Sequence, residues 1–115
     1  MSPSSRATRR LASAAPMFTA LGDETRLYLI TRLCEEGPLS ISVLAGGTAL
    51  TRQAVTKHLR VLSKAGLATC GRSGREQRWR VEPRRLREVR QWLGQISAEW
   101  DRALGRLKTF VESSD

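Results

Sequence analysis

The sequence predicts a mainly α, α+β domain: a helix-turn-helix, then a two-stranded hairpin, then a long terminal helix. Three observations carry this. In the first half, apolar residues recur at helical spacing behind capping residues. Between Leu67 and Val81 the spacing changes to two and is broken by Gly71-Arg72-Ser73-Gly74-Arg75, as in a hairpin. From Leu86 the apolar residues return at alternating intervals of three and four for about 25 residues.

A chain of 115 residues supports one domain with a modest core. Its net charge of +9 is uneven: residues 51–82 carry eight bases against two acids, whereas residues 23–50 carry two against four. A polyanion partner explains a local excess of this size. An anionic membrane surface does not, because the basic segment lacks a large apolar face with aromatic anchors. No run approaches the roughly 18 apolar residues of a membrane span. Two cysteines, Cys34 and Cys70, make no disulfide framework, so a reducing cytoplasm is expected, with both read as buried structural thiols.

Residues 1–15 are rich in Ser and Ala, contain Arg6, Arg9 and Arg10 and no acid, and read as a disordered basic arm. That composition also suits a transit peptide, but a secretory apolar core is missing. A DNA-binding domain is expected over residues 16–82 and a dimerisation helix over 83–115. Met17 to Leu21 predicts a short helix broken at Gly22. Asp23 caps a second helix to about Glu36, with Leu27, Ile30, Leu33 and Cys34 facing inward. Gly37-Pro38 ends it. Ser40 caps a shorter helix to about Gly46, with Ile41, Leu44 and Ala45 inward.

The next helix organises the rest. It opens at Thr51, a suitable N-cap, and closes at Gly66, where a left-handed residue is needed. A step of about one hundred degrees per residue puts Ala54, Val55, His58, Leu62 and Ala65 on one face. Arg52, Gln53, Thr56, Lys57, Arg60, Ser63 and Lys64 fall on the other, with no acid among them. Alone, such a helix is an ordinary solvated one; after a short helix and tight turn it is the second helix of a helix-turn-helix. Thr51, Arg52, Gln53, Thr56, Lys57 and Arg60 then face a DNA major groove, where Arg and Lys bind guanine or phosphate and Gln pairs with adenine. His58 is read as a hydrogen-bonded core histidine.

Leu67 to Cys70 and Gln77 to Val81 form the hairpin, with Gln77, Trp79 and Val81 alternating with Arg78 and Arg80. Placed here it is a wing, whose Arg72, Arg75 and Arg78 hold phosphates. Pro83 starts the last helix at a position where a missing amide costs nothing. Its stripe, Leu86, Val89, Leu93, Ile96, Trp100, Ala103, Leu107 and Phe110, outreaches the domain, and a second copy of the same helix is the expected cover. The other arrangement is a helix folded back wholly on its own domain. Trp92 and Trp100 are read as packing and dimer contacts.

Ala20-Leu21-Gly22-Asp23-Glu24-Thr25-Arg26-Leu27 with Ile30 and Leu33, Leu44-Ala45, Leu50-Thr51, Val55-Thr56-Lys57-His58-Leu59, and Leu62 to Ala65-Gly66-Leu67 together resemble the ArsR/SmtB family of bacterial winged-helix repressors. The resemblance runs from about residue 17 to 82, and the long last helix fits in kind. It implies a homodimer that represses its operator and is released by an effector. Metal-sensing relatives carry two cysteines on the first helix of the helix-turn-helix, where this chain has Ser40 and Ser42. Others use His and carboxylate clusters on the last helix, which here has no His. A transition-metal site needs three or four such ligands, so no metal and no cofactor are expected. Redox-sensing relatives pair a thiol on the second helix with one on the last; Cys34 fits the first place, but no cysteine follows Cys70. Ala49 stands where the family's turn usually has glycine.

The expected function is a homodimeric, sequence-specific regulator of transcription, a repressor that binds a palindromic double-stranded DNA operator in the cytoplasm. Nothing resembles a nucleophile–base pair, a phosphate-cradling loop or a catalytic carboxylate pair, so no enzyme is expected. No effector is assigned. Two alternatives stay open: a winged-helix module whose basic face meets an acidic protein, and a thiol- or metal-responsive repressor with an unrecognised sensor site, a Cys34–Cys70 pair among them.

Overall fold

The computed structural model describes residues 3–113, and side-chain surroundings for residues 11–113. The elements in order are α1 (Pro3–Leu21), α2 (Glu24–Glu36), α3 (Ile41–Gly46), α4 (Arg52–Lys64), β1 (Ala68–Ser73), β2 (Glu76–Val81) and α5 (Pro83–Ser113). Mostly helical, with a two-stranded antiparallel wing and a long last helix, it is the winged helix-turn-helix expected.

Side-chain caps set the helix starts. The Asp23 carboxylate accepts from Arg26 N, the Ser40 hydroxyl from Val43 N and the Thr51 hydroxyl from Ala54 N, each satisfying an orphan first-turn amide. The end of α4 is equally local. Gly66 N donates to the Ser63 carbonyl and Leu67 N to the Leu62 carbonyl, both at 2.9 Å, with Gly66 at φ 78°. This Schellman closure turns the chain into the wing, and its apolar partners Leu62 and Leu67 are both fully buried.

The wing pairs Ala68 with Val81 through Ser73 with Glu76, leaving Gly74 and Arg75 as a two-residue loop. Gly74 at φ 66° supplies the positive angle that a tight hairpin needs. The strands are therefore longer and the turn shorter than the Gly/Ser-rich stretch suggests. Leu39, between α2 and α3, exchanges both backbone hydrogen bonds with Trp79, at 2.9 and 2.7 Å. That bridge fastens the wing's base to the helices and buries Trp79.

The core gathers Leu29, Ile30 and Leu33 of α2, Leu44 of α3, Val55, Leu59 and Leu62 of α4, Leu67, Ala68 and Trp79 at the wing's base, and Val89 of α5. Leu27, expected inward, is half exposed, and Leu29 takes its place. Cys34 and Cys70 are both exposed, so they are not the buried thiols expected. The buried arc of α2 centres on Leu29, Ile30 and Leu33, leaving Cys34 on its outer side.

Where a disordered arm and a domain start at residue 16 are expected, the described residues form a helix that runs into the core. α1 is helical from Pro3, and Ala14, Met17 and Ala20 are buried at helical spacing. Pro16 sits inside α1 despite its missing amide; the packed stripe on either side holds the helix there. Residues 1–2 of the arm lie outside the described residues.

At 31 residues α5 is about 46 Å long. Val89 is buried, with Leu86 and Trp92 packed beside it on the core. Beyond, Leu93, Trp100, Leu104, Leu107, Phe110 and Val111 are all at least half exposed. The radius of gyration, 18.8 Å, exceeds the roughly 13 Å of a compact domain this long, because half of α5 projects from it. Among the described residues, no helix is long and apolar enough to cross a membrane.

Candidate nucleic-acid interface

The buried residues of α4, Val55, Leu59 and Leu62, fix which way its other faces point. Arg52, Gln53, Lys57 and Arg60 are exposed, and among the described residues none forms a side-chain hydrogen bond or ion pair. Four of the six expected reading residues are thus unoccupied donors on one helix. The two threonines are not equivalent to them. Thr51 Oγ1 accepts from Ala54 N at 3.1 Å as the cap, and Thr56 Oγ1 donates to the Arg52 carbonyl at 2.8 Å. Thr56 is also half-buried and keeps a methyl and a lone pair to offer.

A residue outside the recognition helix joins this surface. Ile41, the first residue of α3, lines with Arg52, Gln53, Thr56 and Arg60 a hollow of about 270 Å³ on the α3 side of α4. Sequence reading takes Ile41 only as a core residue, since one apolar side chain at a helix start carries no other signal.

α4 is held from behind by polar contacts. His58 is not a core residue: its side chain is 26% exposed, with Nδ1 3.7 Å from Asp23 Oδ2 and 3.5 Å from Arg26 Nη1. Arg26 Nε donates to the Ala20 carbonyl at 2.7 Å, so the end of α1, the start of α2 and the middle of α4 meet there. The amide of Arg26 holds the Asp23 pKa below its ordinary value; the charges of Arg26 and His58 add to this, and burial opposes it. On the far side, Arg32 Nε binds Glu36 at 2.6 Å while its Nη1 donates to the Val43 carbonyl at 3.3 Å. Their hydrogen bond is the leading reason that the Glu36 pKa is lowered and the Arg32 pKa raised.

The wing separates its expected phosphate contacts. Directly paired residues share a face, so Arg72, opposite Gln77, lies on the Trp79 face of the ribbon and Arg78, opposite Gly71, on the other. Arg75 is in the loop. Arg72 and Arg75 are exposed and without a partner among the described residues. Arg78 is not free: its Nε and Nη2 both reach Glu76 Oε2 at 3.1 Å. Arg80 Nε donates to Thr69 Oγ1 at 3.3 Å, and Thr69 donates to Glu82 at 2.9 Å, so Arg80 braces the wing's base.

Of the dimer residues expected on α5, Leu86 and Val89 pack on the core of their own chain. Val89 is 6% exposed within one chain and Leu86 is half-buried on the same core. Leu93, Trp100, Leu107 and Phe110 are exposed, and Ile96 lies half-buried among them. Among the described residues, no group of three His, Cys, Asp or Glu side chains stands close enough to hold a metal ion.

Comparison with known proteins follows the same lines. Residues 21–70 match a helix-turn-helix domain family. The HTH-type transcriptional regulator Rv2034 of Mycobacterium tuberculosis is 33% identical over 96 residues, covering 84% of this chain and 86% of that protein. Among solved structures, an ArsR-like transcriptional regulator from Rhodococcus sp. RHA1 is 39% identical, with a TM-score of 0.70 over 86% of this chain and 92% of its own. Mb0332 of Mycobacterium bovis, solved as a homodimeric winged helix-turn-helix DNA-binding domain, shares the fold at 22% identity, with a TM-score of 0.63 over 90% of this chain and 91% of its own.

Proposed function

Because this chain belongs to the ArsR/SmtB family of winged helix-turn-helix transcriptional regulators, we propose that it acts as a homodimeric repressor of a two-fold symmetric DNA operator. One observation carries the reading: Arg52, Gln53, Lys57 and Arg60 stand exposed and unpartnered on one outward surface of α4. Three cations and an amide with no acid among them suit base edges and phosphates of a major groove. Thr51 and Thr56 contribute at the margin of that surface, by cap geometry and by a methyl. Arg72, Arg75 and Arg78 hold phosphates beside it, with Arg78 the weakest because Glu76 already neutralises it.

The dimer forms through the projecting half of α5, where Leu93, Ile96, Trp100, Leu107 and Phe110 make an apolar stripe too long for one domain to cover. Two copies joined there present two α4 helices, which reach successive half-sites about 34 Å apart or a multiple of that. A bound operator then blocks access to the promoter it overlaps. The protein acts in the cytoplasm without metal, cofactor or catalytic step.

Selection of bound duplexes from a random pool tests this. A two-fold symmetric consensus with half-sites one or two turns apart is expected. Binding without sequence preference overturns the reading and favours an acidic protein as the partner of the basic face.

A further inference from the structure

We infer that the hollow between Ile41 and Thr56 is a thymine-reading site, in which the C5-methyl of one operator thymine rests on an apolar floor supplied by both helices of the helix-turn-helix. The inference rests on the reading that α4 enters a major groove, and it adds a residue of α3 to the specificity determinants.

The floor is apolar for two separate reasons. Ile41 is a half-buried aliphatic side chain, the one apolar residue among five that line the hollow. Thr56 donates its hydroxyl hydrogen to the Arg52 carbonyl at 2.8 Å, so it has no free donor to offer and brings its methyl, with one acceptor lone pair, to the floor. Above this floor stand Arg52, Gln53 and Arg60, all exposed. Most of what DNA presents in a major groove is polar: phosphate oxygens, guanine N7 and O6, adenine N6 and N7, cytosine N4. The thymine methyl is the apolar exception. A phosphate would gain from Arg52 and Arg60 but nothing from Ile41. A thymine gains from burial of its methyl, while Gln53 at the rim is placed to bond an adenine edge nearby. Arg52, Gln53 and Thr56 lie in the first two turns of α4, the part of a recognition helix that meets base edges.

The test uses the full-length protein and the duplex recovered by selection, with each thymine position replaced in turn, in both half-sites at once, by deoxyuridine, which lacks only the methyl. At one thymine per half-site, wild type should bind about four-fold more weakly per half-site, or roughly sixteen-fold when both half-sites are replaced, the ratio expected for one buried methyl in each. Ile41→Ala and Thr56→Ser should each weaken binding to the thymine duplex and bind the deoxyuridine duplex as wild type does. Thr56→Ser keeps the hydroxyl that bonds the Arg52 carbonyl, so it tests the methyl without disturbing α4. Selective binding in which no deoxyuridine replacement matters, or in which both variants lose the same factor on both duplexes, overturns this inference and leaves the operator reading intact. A selection that returns no preferred sequence overturns both.

Discussion

The hydroxyl of Tyr28 donates to the carbonyl of Gly47 at 3.1 Å, tying the outer face of α2 to the turn that separates α3 from α4. Arg32, one helical turn further along α2, reaches the last turn of α3 through the Val43 carbonyl and is steadied by Glu36. These contacts set the angle of the helix-turn-helix from the side away from the core. They also explain Gly47, whose φ of −92° suits any residue: a Cβ there would lie 2.5 Å from Arg32 Nη1.

Gly47→Ala should therefore have opposite effects in two backgrounds. In the wild-type chain it should destabilise, by pushing the Arg32 guanidinium off the Val43 carbonyl. With Arg32→Ala already present, only the Tyr28 hydroxyl, 3.2 Å from the new Cβ, has to give by a few tenths of an ångström, and the substitution should stabilise by up to about 0.4–1 kcal/mol through the unfolded chain's lost freedom. Urea unfolding of the four proteins gives the coupling. Equal effects in both backgrounds would remove Arg32 as the cause.

The Asp23 cap predicts an acid response. Its folded-state pKa is below the ordinary carboxylate value, so the stability it adds is fully present above the unfolded-state pKa. That stability is lost as pH falls below about 4 and through the folded value. Asp23→Asn keeps an oxygen that can accept from Arg26 N but does not titrate. The stability difference between wild type and Asp23→Asn should shrink as pH falls from about 5 through 4 and below. A difference that stays constant down to pH 2 would show that the carboxylate's charge is not what matters at this cap.

How much of this was legible in the sequence follows from how far each signal reaches along the chain. Caps depend on three or four neighbouring residues, and Asp23, Ser40, Thr51 and Gly66 all stand where their residue types place them. The buried arc of α4 is less local. Counting Ala54 and His58 as inward swings its centre away from Leu59, which is fully buried; small and amphipathic residues do not weigh a face decisively. The Leu39–Trp79 bridge joins residues forty apart and has no periodic signature. The exposed polar face of α4 was legible because it is one face of one helix. The place of Ile41 in the hollow beside Thr56 was not, because it needs the crossing of two helices. The Glu76–Arg78 pair was available, as two residues apart on a strand share a face.

The last helix should divide into two parts with different mutational signatures. Val89→Ala empties a buried site and should cost about 2 kcal/mol in monomer stability. Leu107→Glu, at a position 59% exposed in one chain, should leave the fold intact and abolish the dimer. Circular dichroism and sedimentation equilibrium separate the two. A Leu107→Glu protein that still sediments as a dimer would place the interface elsewhere.

The wing gives a prediction that raises affinity. Arg78 shares its charge with Glu76 at 3.1 Å across an exposed contact, so the pair adds little to stability, yet it removes a cation from the surface proposed to meet phosphate. Glu76→Gln should release Arg78 without changing the hairpin register, since Gln has the same length and the Gly74 turn is untouched. Affinity for all duplexes should rise, and the slope of log K against log salt should steepen by roughly one as one more phosphate is neutralised. Arg75→Ala, which removes a cation with no acidic partner among the described residues, should flatten that slope by roughly one, whereas Arg78→Ala should flatten it less. Because the wing's contribution is electrostatic, neither change should alter the preferred sequence. If Glu76→Gln leaves the salt slope unchanged, Arg78 points away from the backbone even when free, and the phosphate contacts of the wing reduce to Arg72 and Arg75.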